Sequence, residues 1–474
     1  MRIWKIICLL LCLTVVAASV LPCSAQADAS VITGCRTVDA QRPLGGSEQL
    51  LETAKAVAVY ERNTGTLIYG YGLDEQIYPS SMVKLMTALV ALQYGDLDEV
   101  VTVTRTALES MGIGVVSANL VRGEEMTLRD LLYCMMVASA NDASAVIAEH
   151  IGGSQEGFVA MMNDMAQQMG LTGTHFTNAH GLHDDQNFTT VRDVMKLLDI
   201  GLENPEFKAM FETVSYTVPS TNKTDARILT STNKMMDSES KYYDERVTGG
   251  KTGATDQAGR CLALTADVGD LELIAVVMGA KATYSADGSY LTRYGSFEEM
   301  AELLEYVRQG FECRQLFYAE QVIAQYAVSN GSNNVVTTPA DDAYCVLPKA
   351  ITAQELVWKY DREVSGLTAP IGKHQAVAGM EVWYGDICLA QTELVAMNAV
   401  SIGQPMAEDR ITENEKTEQK HGEVLAKIFG VILGAAILGL VGFFLVRMVQ
   451  TAMIKARVRR RRKNRRRNRN ARME

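Results

Sequence analysis

Proline, tryptophan and histidine are scarce in this chain, which has 9, 3 and 6 of them among 474 residues. Apolar residues make up 47% of the sequence and charged residues 21%. So little proline beside so large an apolar fraction excludes collagen and long disorder, and nine cysteines at this length exclude a small disulfide scaffold. At about 150 residues per domain, the chain has room for two or three domains with sizeable cores.

Basic residues are under-represented in most of the chain. Residues 28–446 hold 30 lysines and arginines against 55 acidic residues, whereas residues 447–474 hold 13 against one. Nucleic-acid phosphates bind lysine and arginine, so a body with a net charge of −25 excludes a nucleic-acid-binding function. The basic tail therefore needs a separate explanation.

The N-terminal segment has the features of an export signal. Arg2 and Lys5 precede the largely apolar run Ile6–Ala18, and the small residues of Cys23–Ala27 follow. A basic start, a short apolar run and a small-residue cleavage site are typical of a secretory signal peptide. An uncleaved anchor is the weaker interpretation, because thirteen residues are too few to span a bilayer. We expect residues 1–27 to be removed on export.

The C-terminal segment explains the basic tail. Residues 428–446 are nineteen residues without a charge, enough to cross about 30 Å of hydrocarbon as a helix. Positively charged segments beside such helices stay in the cytoplasm, so residues 447–474 are predicted to lie inside and the acidic body outside. The sequence thus predicts a single-pass membrane protein with an extracellular body.

Cys-x-x-Cys pairs are absent, so the sequence does not support a cysteine zinc site. Cys134 and Cys261 lie in apolar runs and are predicted to belong to the core. A disulfide between Cys345 and Cys388 would fit an oxidising compartment, and isolated buried thiols are the simpler alternative.

The hydrophobic patterns change character along the chain, from strands to helices and back to strands with a final helix. The predicted strands are Ala56–Tyr60, Thr66–Tyr71, Cys261–Ala266 and Leu271–Met278. The predicted helices are Met82–Leu92, Leu128–Met136, Ala143–Ile151, Phe158–Met169, Val191–Leu202 and Phe297–Phe311. This order indicates an α+β fold, in which a helical group is inserted between parts of one antiparallel sheet.

Beyond Cys313 the pattern consists of short strand-like runs separated by turns, which predicts a small all-β domain. Polar and charged residues then lead to the predicted membrane span. The predicted organisation is a signal peptide at 1–27, a lead-in at 28–50, a first domain at 51–313, an all-β domain at 314–400, a linker at 401–427, a transmembrane helix at 428–446 and a basic tail at 447–474.

The sequence Ser81-Met82-Val83-Lys84 stands where a helix is predicted to begin, after Pro79. Its spacing puts Lys84 on the same helical face as Ser81. A serine hydroxyl needs a base to become a nucleophile, and a neutral lysine amine can serve. Three other Ser-x-x-Lys sequences begin at Ser220, Ser231 and Ser238, so the pattern alone is weak. Only Ser81 precedes an apolar helix, whose N-terminus adds positive potential.

Two further short motifs follow in order. Ser139-Ala140-Asn141 comes after the apolar run Leu131–Ala138, although Ser-x-Asn also occurs elsewhere. Lys251-Thr252-Gly253 is the only Lys-Thr-Gly in the chain and is predicted to stand just before a strand. Small residues there let a substrate backbone lie beside the strand edge, and Lys251 offers a cation near developing charge. The three motifs together, in this order, make one strong signal.

This set resembles the penicillin-recognising serine acyltransferases, and among them the D-alanyl-D-alanine carboxypeptidases of the low-molecular-weight penicillin-binding proteins. The resemblance covers residues ~50–312 and includes Tyr78–Thr87, Thr174–Asp184 and Leu273–Gly279. It implies a penicillin-binding, β-lactamase-like transpeptidase domain, followed by a β domain and an anchor in a bacterial cell membrane. The sequence departs from the family pattern at Val83, Ala140, Gly250 and Ala254, which bears on substrate preference more than on the reaction.

The resemblance implies a catalytic role for three side chains. Ser81 attacks the substrate carbonyl and becomes acylated, Lys84 takes its proton, and Ser139 helps to pass a proton to the leaving D-alanine. A desolvated Lys84 near a second cation, Lys251, is expected to have a depressed pKa and to be partly neutral. No cofactor is expected.

The resemblance also implies the substrate contacts. Asn141 binds the substrate amide, Lys251 and Thr252 of the Lys-Thr-Gly253 motif hold the terminal carboxylate, and backbone N–H groups of Ser81 and Ala254 form the oxyanion hole. The expected substrates are peptidoglycan stem peptides ending in D-Ala-D-Ala, and the expected inhibitors are β-lactams.

Other functions fit the sequence less well. The histidines His175, His180 and His183 could suggest zinc, but their stretch matches a family loop, so no metal site is predicted. A class A-type β-lactamase needs a Glu-x-x-x-Asn loop, and none occurs between Asn141 and Lys251. A non-catalytic penicillin-binding scaffold is disfavoured by the intact motifs. D,D-endopeptidase activity would use the same residues, so it stays open beside the carboxypeptidase activity.

Overall fold

The computed structural model describes residues 42–110, 115–287 and 291–403. The predicted signal peptide at 1–27, transmembrane helix at 428–446 and basic tail at 447–474 lie outside these ranges. Within the described ranges, no helix is long and apolar enough to cross a membrane.

The secondary structure follows the α+β order that the sequence predicts. The strands are β1 (Ala56–Glu61), β2 (Thr66–Tyr71), β3 (Val100–Thr102), β4 (Glu125–Thr127), β5 (Ser215–Val218), β6 (Arg227–Thr230), β7 (Val247–Thr255), β8 (Gly259–Val268), β9 (Leu271–Ala280), β10 (Ala282–Tyr284), β11 (Leu291–Tyr294), β12 (Phe311–Phe317), β13 (Ala324–Tyr326), β14 (Val335–Pro339), β15 (Ala343–Pro348), β16 (Leu356–Tyr360), β17 (Ala376–Tyr384) and β18 (Ile387–Ala396). The helices are α1 (Val83–Tyr94), α2 (Arg105–Glu109), α3 (Leu128–Val137), α4 (Asn141–Gly152), α5 (Gln155–Gln168), α6 (Val191–Leu202), α7 (Pro205–Phe211) and α8 (Gly295–Gly310). Short 3-10 turns lie at Ser80–Met82 and Ala353–Glu355.

A five-stranded antiparallel sheet forms the centre of the first domain, in the order β2-β1-β9-β8-β7. Strand β9 is buried along almost its whole length, because apolar side chains cover both of its faces. One face packs against α8 through Leu303, Leu304 and Val307. The other face packs against the helical group α1–α7, which the chain builds between β2 and β7. This arrangement confirms the predicted antiparallel sheet with an inserted helical group.

Helix α1 lies at the centre of the helical group. All nine residues from Val83 to Ala91 are buried. Surrounding helices begin at side-chain caps that satisfy their first N–H groups, as Thr127 does for Asp130 and Thr190 does for Asp193. A helix buried on every side is apolar all round, and this is why its sequence shows little amphipathic periodicity.

The residues after α8 form the predicted β domain. Its five-stranded sheet has the order β13-β14-β18-β17-β16, and β12 pairs separately with β15. The core of this domain contains Phe317, Met380, Val382 and Leu394. Cys345 is a buried thiol, so the alternative of a disulfide with Cys388 is not realised.

Of the described residues, Val328–Asn333, Thr368–Pro370 and 401–403 belong to a second compact unit. Among its described residues, the Ser332 N–H donates to the carbonyl of Ser401 at 2.9 Å, and the Gly403 N–H donates to the carbonyl of Asn330 at 2.7 Å. The Ala369 N–H also donates to the carbonyl of Ser329 at 3.1 Å, so backbone hydrogen bonds join all three segments.

Several local predictions differ from the structure. Lys251–Gly253 lies inside β7 rather than before a strand, because small residues still form ladder hydrogen bonds when a neighbouring strand supports them. The predicted helix Phe297–Phe311 ends at Gly310, and Phe311 begins β12. Helix α7 was not predicted, although Asn204 caps its first N–H groups and Pro205 occupies its first position.

Candidate active site

The nucleophile candidate lies in the turn that opens α1. Pro79 precedes a 3-10 turn over Ser80–Met82, which continues directly into the helix. Ser80 takes a positive φ of 50°, a strained conformation for a residue with a side chain. One turn later, the Lys84 Nζ lies 3.1 Å from the Ser81 Oγ. The i, i+3 spacing therefore brings the two side chains into contact, as the sequence predicts.

Lys84 is fully buried and contacts three oxygen atoms. Besides the Ser81 Oγ, its Nζ lies 2.6 Å from the Asn141 Oδ1 and 2.5 Å from the carbonyl oxygen of His180. Burial and the nearby positive charge of Lys251 hold the pKa of the Lys84 amine well below its ordinary value, although Asp142 opposes the shift. A neutral amine in this position can accept the Ser81 proton.

The Ser-x-Asn motif forms the short connection between α3 and α4. Ser139 has a φ of 60°, so the connection turns sharply and directs both polar side chains to the same place. The Asn141 backbone N–H donates to the carbonyl of Val116 at 2.9 Å. Asp142 fixes the facing segment, because its carboxylate accepts hydrogen bonds from the backbone N–H groups of Ala118 and Leu120.

Strand β7 supplies the third motif. The buried Lys251 Nζ donates to the Ser139 Oγ at 2.7 Å and to the carbonyl of Thr252 at 3.2 Å. Burial lowers the pKa of the Lys251 amine to about 7. The Thr252 Oγ1 lies 2.6 Å from the Thr232 Oγ1. Two lysine–serine pairs, Lys84 with Ser81 and Lys251 with Ser139, therefore lie in one site.

Strand β7 has little space for side chains at two of its glycines, one of which faces the turn that carries Ser81. A Cβ placed on Gly253 would lie 3.2 Å from both the Ser81 N and the Ser80 side chain. A Cβ on Gly250 would lie 2.3 Å from the Nδ2 of Asn233. This contact explains why the chain has glycine at position 250, where it departs from the family pattern. The missing side chains let the strand approach the nucleophile closely.

The predicted residues meet at one cavity of about 430 Å³. Its lining includes Ser81, Ser139, Thr252, Gly253 and Ala254. The remaining three predicted residues, Lys84, Asn141 and Lys251, are buried and hydrogen-bonded to this lining or to one another. All eight residues singled out from the sequence therefore belong to one polar cluster.

The sequence analysis did not identify the loop at residues 178–181, which lies beside Lys84 and supports it. The Asn178 Oδ1 accepts a hydrogen bond from the Gly181 N–H at 2.6 Å, and the Thr87 Oγ1 donates to the Ala179 carbonyl at 2.7 Å. These contacts hold the His180 carbonyl beside Lys84. A backbone acceptor has no side-chain signature, so the only signal was the stretch Thr174–Asp184, which resembles a family loop.

The histidines of that loop do not converge on a common point. Burial, followed by the charge on Lys84, lowers the pKa of the His180 ring to about 3, and its Nδ1 accepts from the Leu182 N–H. His175 contacts the Gln186 carbonyl, and His183 contacts Asp185. In the described parts of the chain, no group of three metal-ligating side chains is arranged to hold a metal ion.

Family models match two parts of the chain. Residues 46–282 match the peptidase S11 family, described as D-alanyl-D-alanine carboxypeptidase. Residues 311–401 match the C-terminal domain of penicillin-binding protein 5. The two matches together include every predicted site residue and the β domain.

Named relatives cover most of the chain. It is 29% identical over 353 residues to the D-alanyl-D-alanine carboxypeptidase DacF of Bacillus subtilis, an alignment spanning 74% of this chain and 86% of DacF. It is 30% identical over 350 residues to the D-alanyl-D-alanine carboxypeptidase DacD of Escherichia coli, an alignment spanning 72% of this chain and 85% of DacD.

Solved structures agree with these matches. Penicillin-binding protein 5 of Haemophilus influenzae superimposes with a TM-score of 0.59 and 27% identity, over 75% of this chain and all of that chain. Penicillin-binding protein 6B of Escherichia coli gives a TM-score of 0.55 at 27% identity, over 75% of this chain and 98% of that chain. On the evidence of the site, the family models and these relatives, the chain belongs to the D-alanyl-D-alanine carboxypeptidases of peptidase family S11, which are serine hydrolases.

Proposed function

We propose that this protein removes the terminal D-alanine from peptidoglycan stem peptides through an acyl-enzyme on Ser81, and that β-lactams acylate the same serine. The observation that carries this proposal is the contact of 3.1 Å between the Ser81 Oγ and the fully buried Lys84 Nζ. A buried amine with a lowered pKa is a base that can work near neutral pH.

Acylation begins when the Lys84 amine accepts the Ser81 hydroxyl proton and the Ser81 Oγ attacks the carbonyl carbon of the penultimate D-alanine. Backbone N–H groups of Ser81 and Ala254 stabilise the negative oxygen that forms. The C–N bond then breaks, and the proton that Lys84 accepted passes by way of Ser139 to the departing amine of the terminal D-alanine, which leaves Lys84 neutral and Ser139 a hydroxyl again. Water attacks the resulting ester, and its lost proton restores the Ser81 hydroxyl.

Substrate binding falls to the residues around this pair. Lys251 and Thr252 hold the terminal carboxylate of the peptide, since Lys251 is the cation closest to Ser139 and lies on a strand edge. The Asn141 side chain binds the peptide amide while its Oδ1 keeps Lys84 in place.

The test is an intact-mass time course of the full-length protein in detergent with benzylpenicillin, followed by peptide mapping and a D-alanine release assay on a D-Ala-D-Ala peptide. We expect a long-lived adduct on the peptide that contains Ser81, together with D-alanine release. Rapid hydrolysis of the drug with only a fleeting adduct would indicate a β-lactamase. A protein with neither adduct nor turnover would be a non-catalytic scaffold.

The acylation rate is expected to fall both at low pH and at high pH. Protonation of Lys84 removes the base, so the rate falls as the pH drops. Above a pH of about 7, Lys251 loses the charge that holds a substrate carboxylate, so the rate falls again. Stopped-flow acylation by benzylpenicillin between about pH 5 and 9 measures this profile. A flat profile contradicts the proposal that Lys84 acts as a free amine.

We also propose that the protein is exported and anchored by one C-terminal helix, with the domain layout given from the sequence. The uncharged segment 428–446 and the thirteen basic residues beyond it support this orientation. Carbonate washing of bacterial membranes is expected to leave the full-length chain bound, whereas a chain ending at residue 427 should be washed off. Equal release of both chains would contradict the anchor.

A further inference from the structure

A second cavity, of about 720 Å³, adjoins the active-site cavity. Ala254 and Arg260 line both cavities, so the two are neighbours on either side of these residues. The second cavity is also lined by Lys55 and Lys281, whereas Asp256 is its single acidic residue. An excess of positive charge is unusual in a body whose net charge is −25.

The three cations of this cavity have no acidic partner among the residues that the structure describes. In the described ranges, no carboxylate forms an ion pair with Lys55, Arg260 or Lys281. The Arg260 guanidinium lies over the ring of Tyr294, 5.6 Å from its centroid, and donates weakly to the Tyr284 hydroxyl at 3.4 Å. Unpaired cations around a concave surface attract an anionic group.

The central sheet holds these cations in place. Arg260 lies directly opposite Ala254 in the β7–β8 ladder. The Lys55 N–H donates to the Met278 carbonyl at 2.9 Å, and the stem of its side chain packs where a Cβ on Gly279 would otherwise lie. The Lys281 N–H donates to the Thr53 Oγ1 at 2.9 Å. The positive surface is thus formed by β8, which pairs with the active-site strand β7, and by the residues next to the ends of β1 and β9.

The direction of the bound peptide connects the two cavities. If Lys251 and Thr252 hold the terminal carboxylate and Ser81 attacks beside Ala254, an extended peptide continues along β7 past Ala254. The next residues of the strand and its turn, Thr255 and Asp256, line the second cavity. An extended chain advances about 3.3 Å per residue, so the residues just before D-Ala-D-Ala reach the cations.

We propose that the second cavity binds a carboxylate carried by the one or two residues that precede D-Ala-D-Ala in the substrate. This inference rests on the proposed function, since it takes the peptide direction from the placement of the carboxylate and the nucleophile. It identifies the preferred substrates as acidic stem peptides. The contribution comes from exposed lysines and is therefore modest and sensitive to salt.

The test compares peptides that differ only in a carboxylate or an amide. Acetyl-Glu-D-Ala-D-Ala and acetyl-Gln-D-Ala-D-Ala place the difference directly before D-Ala-D-Ala. Acetyl-Glu-Ala-D-Ala-D-Ala and acetyl-Gln-Ala-D-Ala-D-Ala place it one residue earlier. The value of kcat/KM for D-alanine release is measured in detergent with the full-length protein and with its Lys55→Met, Lys281→Met double variant. The control is Lys223→Met, because Lys223 is exposed and lies outside both cavities.

We expect at least one Glu peptide to exceed its Gln partner by about fivefold. The double variant should reduce this ratio to less than about twofold, because only Arg260 then remains, without changing turnover of the Gln peptide, and the control should retain it. The pair that shows the preference identifies the position of the carboxylate. Equal rates for both pairs, with normal turnover, would overturn the cavity assignment alone. A preference that is undiminished in the double variant would overturn it too. Failure to hydrolyse any of the peptides would overturn the proposed function as well.

Discussion

Replacing Lys84 with methionine is expected to lower the rate of acylation by benzylpenicillin by about 10³-fold or more, since a positioned general base contributes on the order of 10²–10⁴-fold. The side chain keeps an unbranched apolar stem of similar length but loses the amine that lies 3.1 Å from the Ser81 Oγ. The substitution also leaves two buried acceptors, the Asn141 Oδ1 and the His180 carbonyl, without their donor. The acylation rate is measured by stopped-flow quenching or quenched-flow mass spectrometry.

A matched control for this variant comes from the chain itself. Lys223 also stands three residues after a serine, but it is exposed and lies on no predicted catalytic helix. Lys223→Met should therefore acylate at the wild-type rate. Thermal unfolding of both variants separates a loss of base from a loss of fold. A folded Lys84→Met protein that acylates within tenfold of wild type would show that another group removes the Ser81 proton.

Replacing Gly181 with alanine is expected to slow acylation by about 100-fold, because a misplacement of about 1 Å in an active site can cost that much. The new Cβ would lie 2.0 Å from the Ser80 carbonyl oxygen and 3.0 Å from the Ser81 N. Both atoms are backbone, so either the loop or the nucleophile turn must move. Either movement changes the position of Ser81 relative to Lys84, whose third partner is the adjacent His180 carbonyl.

Gly153→Ala provides the comparison for this second variant. Gly153 has a φ of 70°, close to the 81° of Gly181, but a Cβ there would have no neighbour within 4 Å. Both variants therefore carry the conformational cost of alanine in the left-handed region, about 1–2 kcal/mol, while only Gly181→Ala carries the clash. Acylation rates and unfolding midpoints are measured together. Equal acylation by the two variants would mean that the loop does not position the nucleophile.

Contacts between residues close in sequence could be predicted from each motif by itself. Contacts between residues far apart in sequence could be predicted only from the three motifs taken together. Ser81 and Lys84 are one helical turn apart, so helix geometry alone brings them together. Ser139 and Lys251 are 112 residues apart, and they meet at 2.7 Å only because the connection between α3 and α4 lies beside the middle of β7. Only the order of the motifs, through the family that they resemble, linked them in advance.

The features that could not be predicted share a physical reason. The His180 carbonyl acts through the backbone, which every residue possesses. The three cations of the second cavity lie in β8, just before β1 and just after β9. Their convergence depends on the register that sets Ala254 opposite Arg260 and Ala56 opposite Met278. Register is fixed by burial across the whole sheet, so a short sequence window does not contain it.

The burial of α1 has a consequence for how activity is lost on heating. Amide protons of a helix enclosed on every side exchange with solvent only when the domain opens as a whole. Ser81 and Lys84 therefore lie at the N-terminal end of the segment whose amide protons we expect to exchange most slowly. Strand β16 alternates between exposed and half-buried residues, so its amide protons should exchange early. Penicillin labelling should thus persist through partial opening of the β domain and disappear together with the last protected amides.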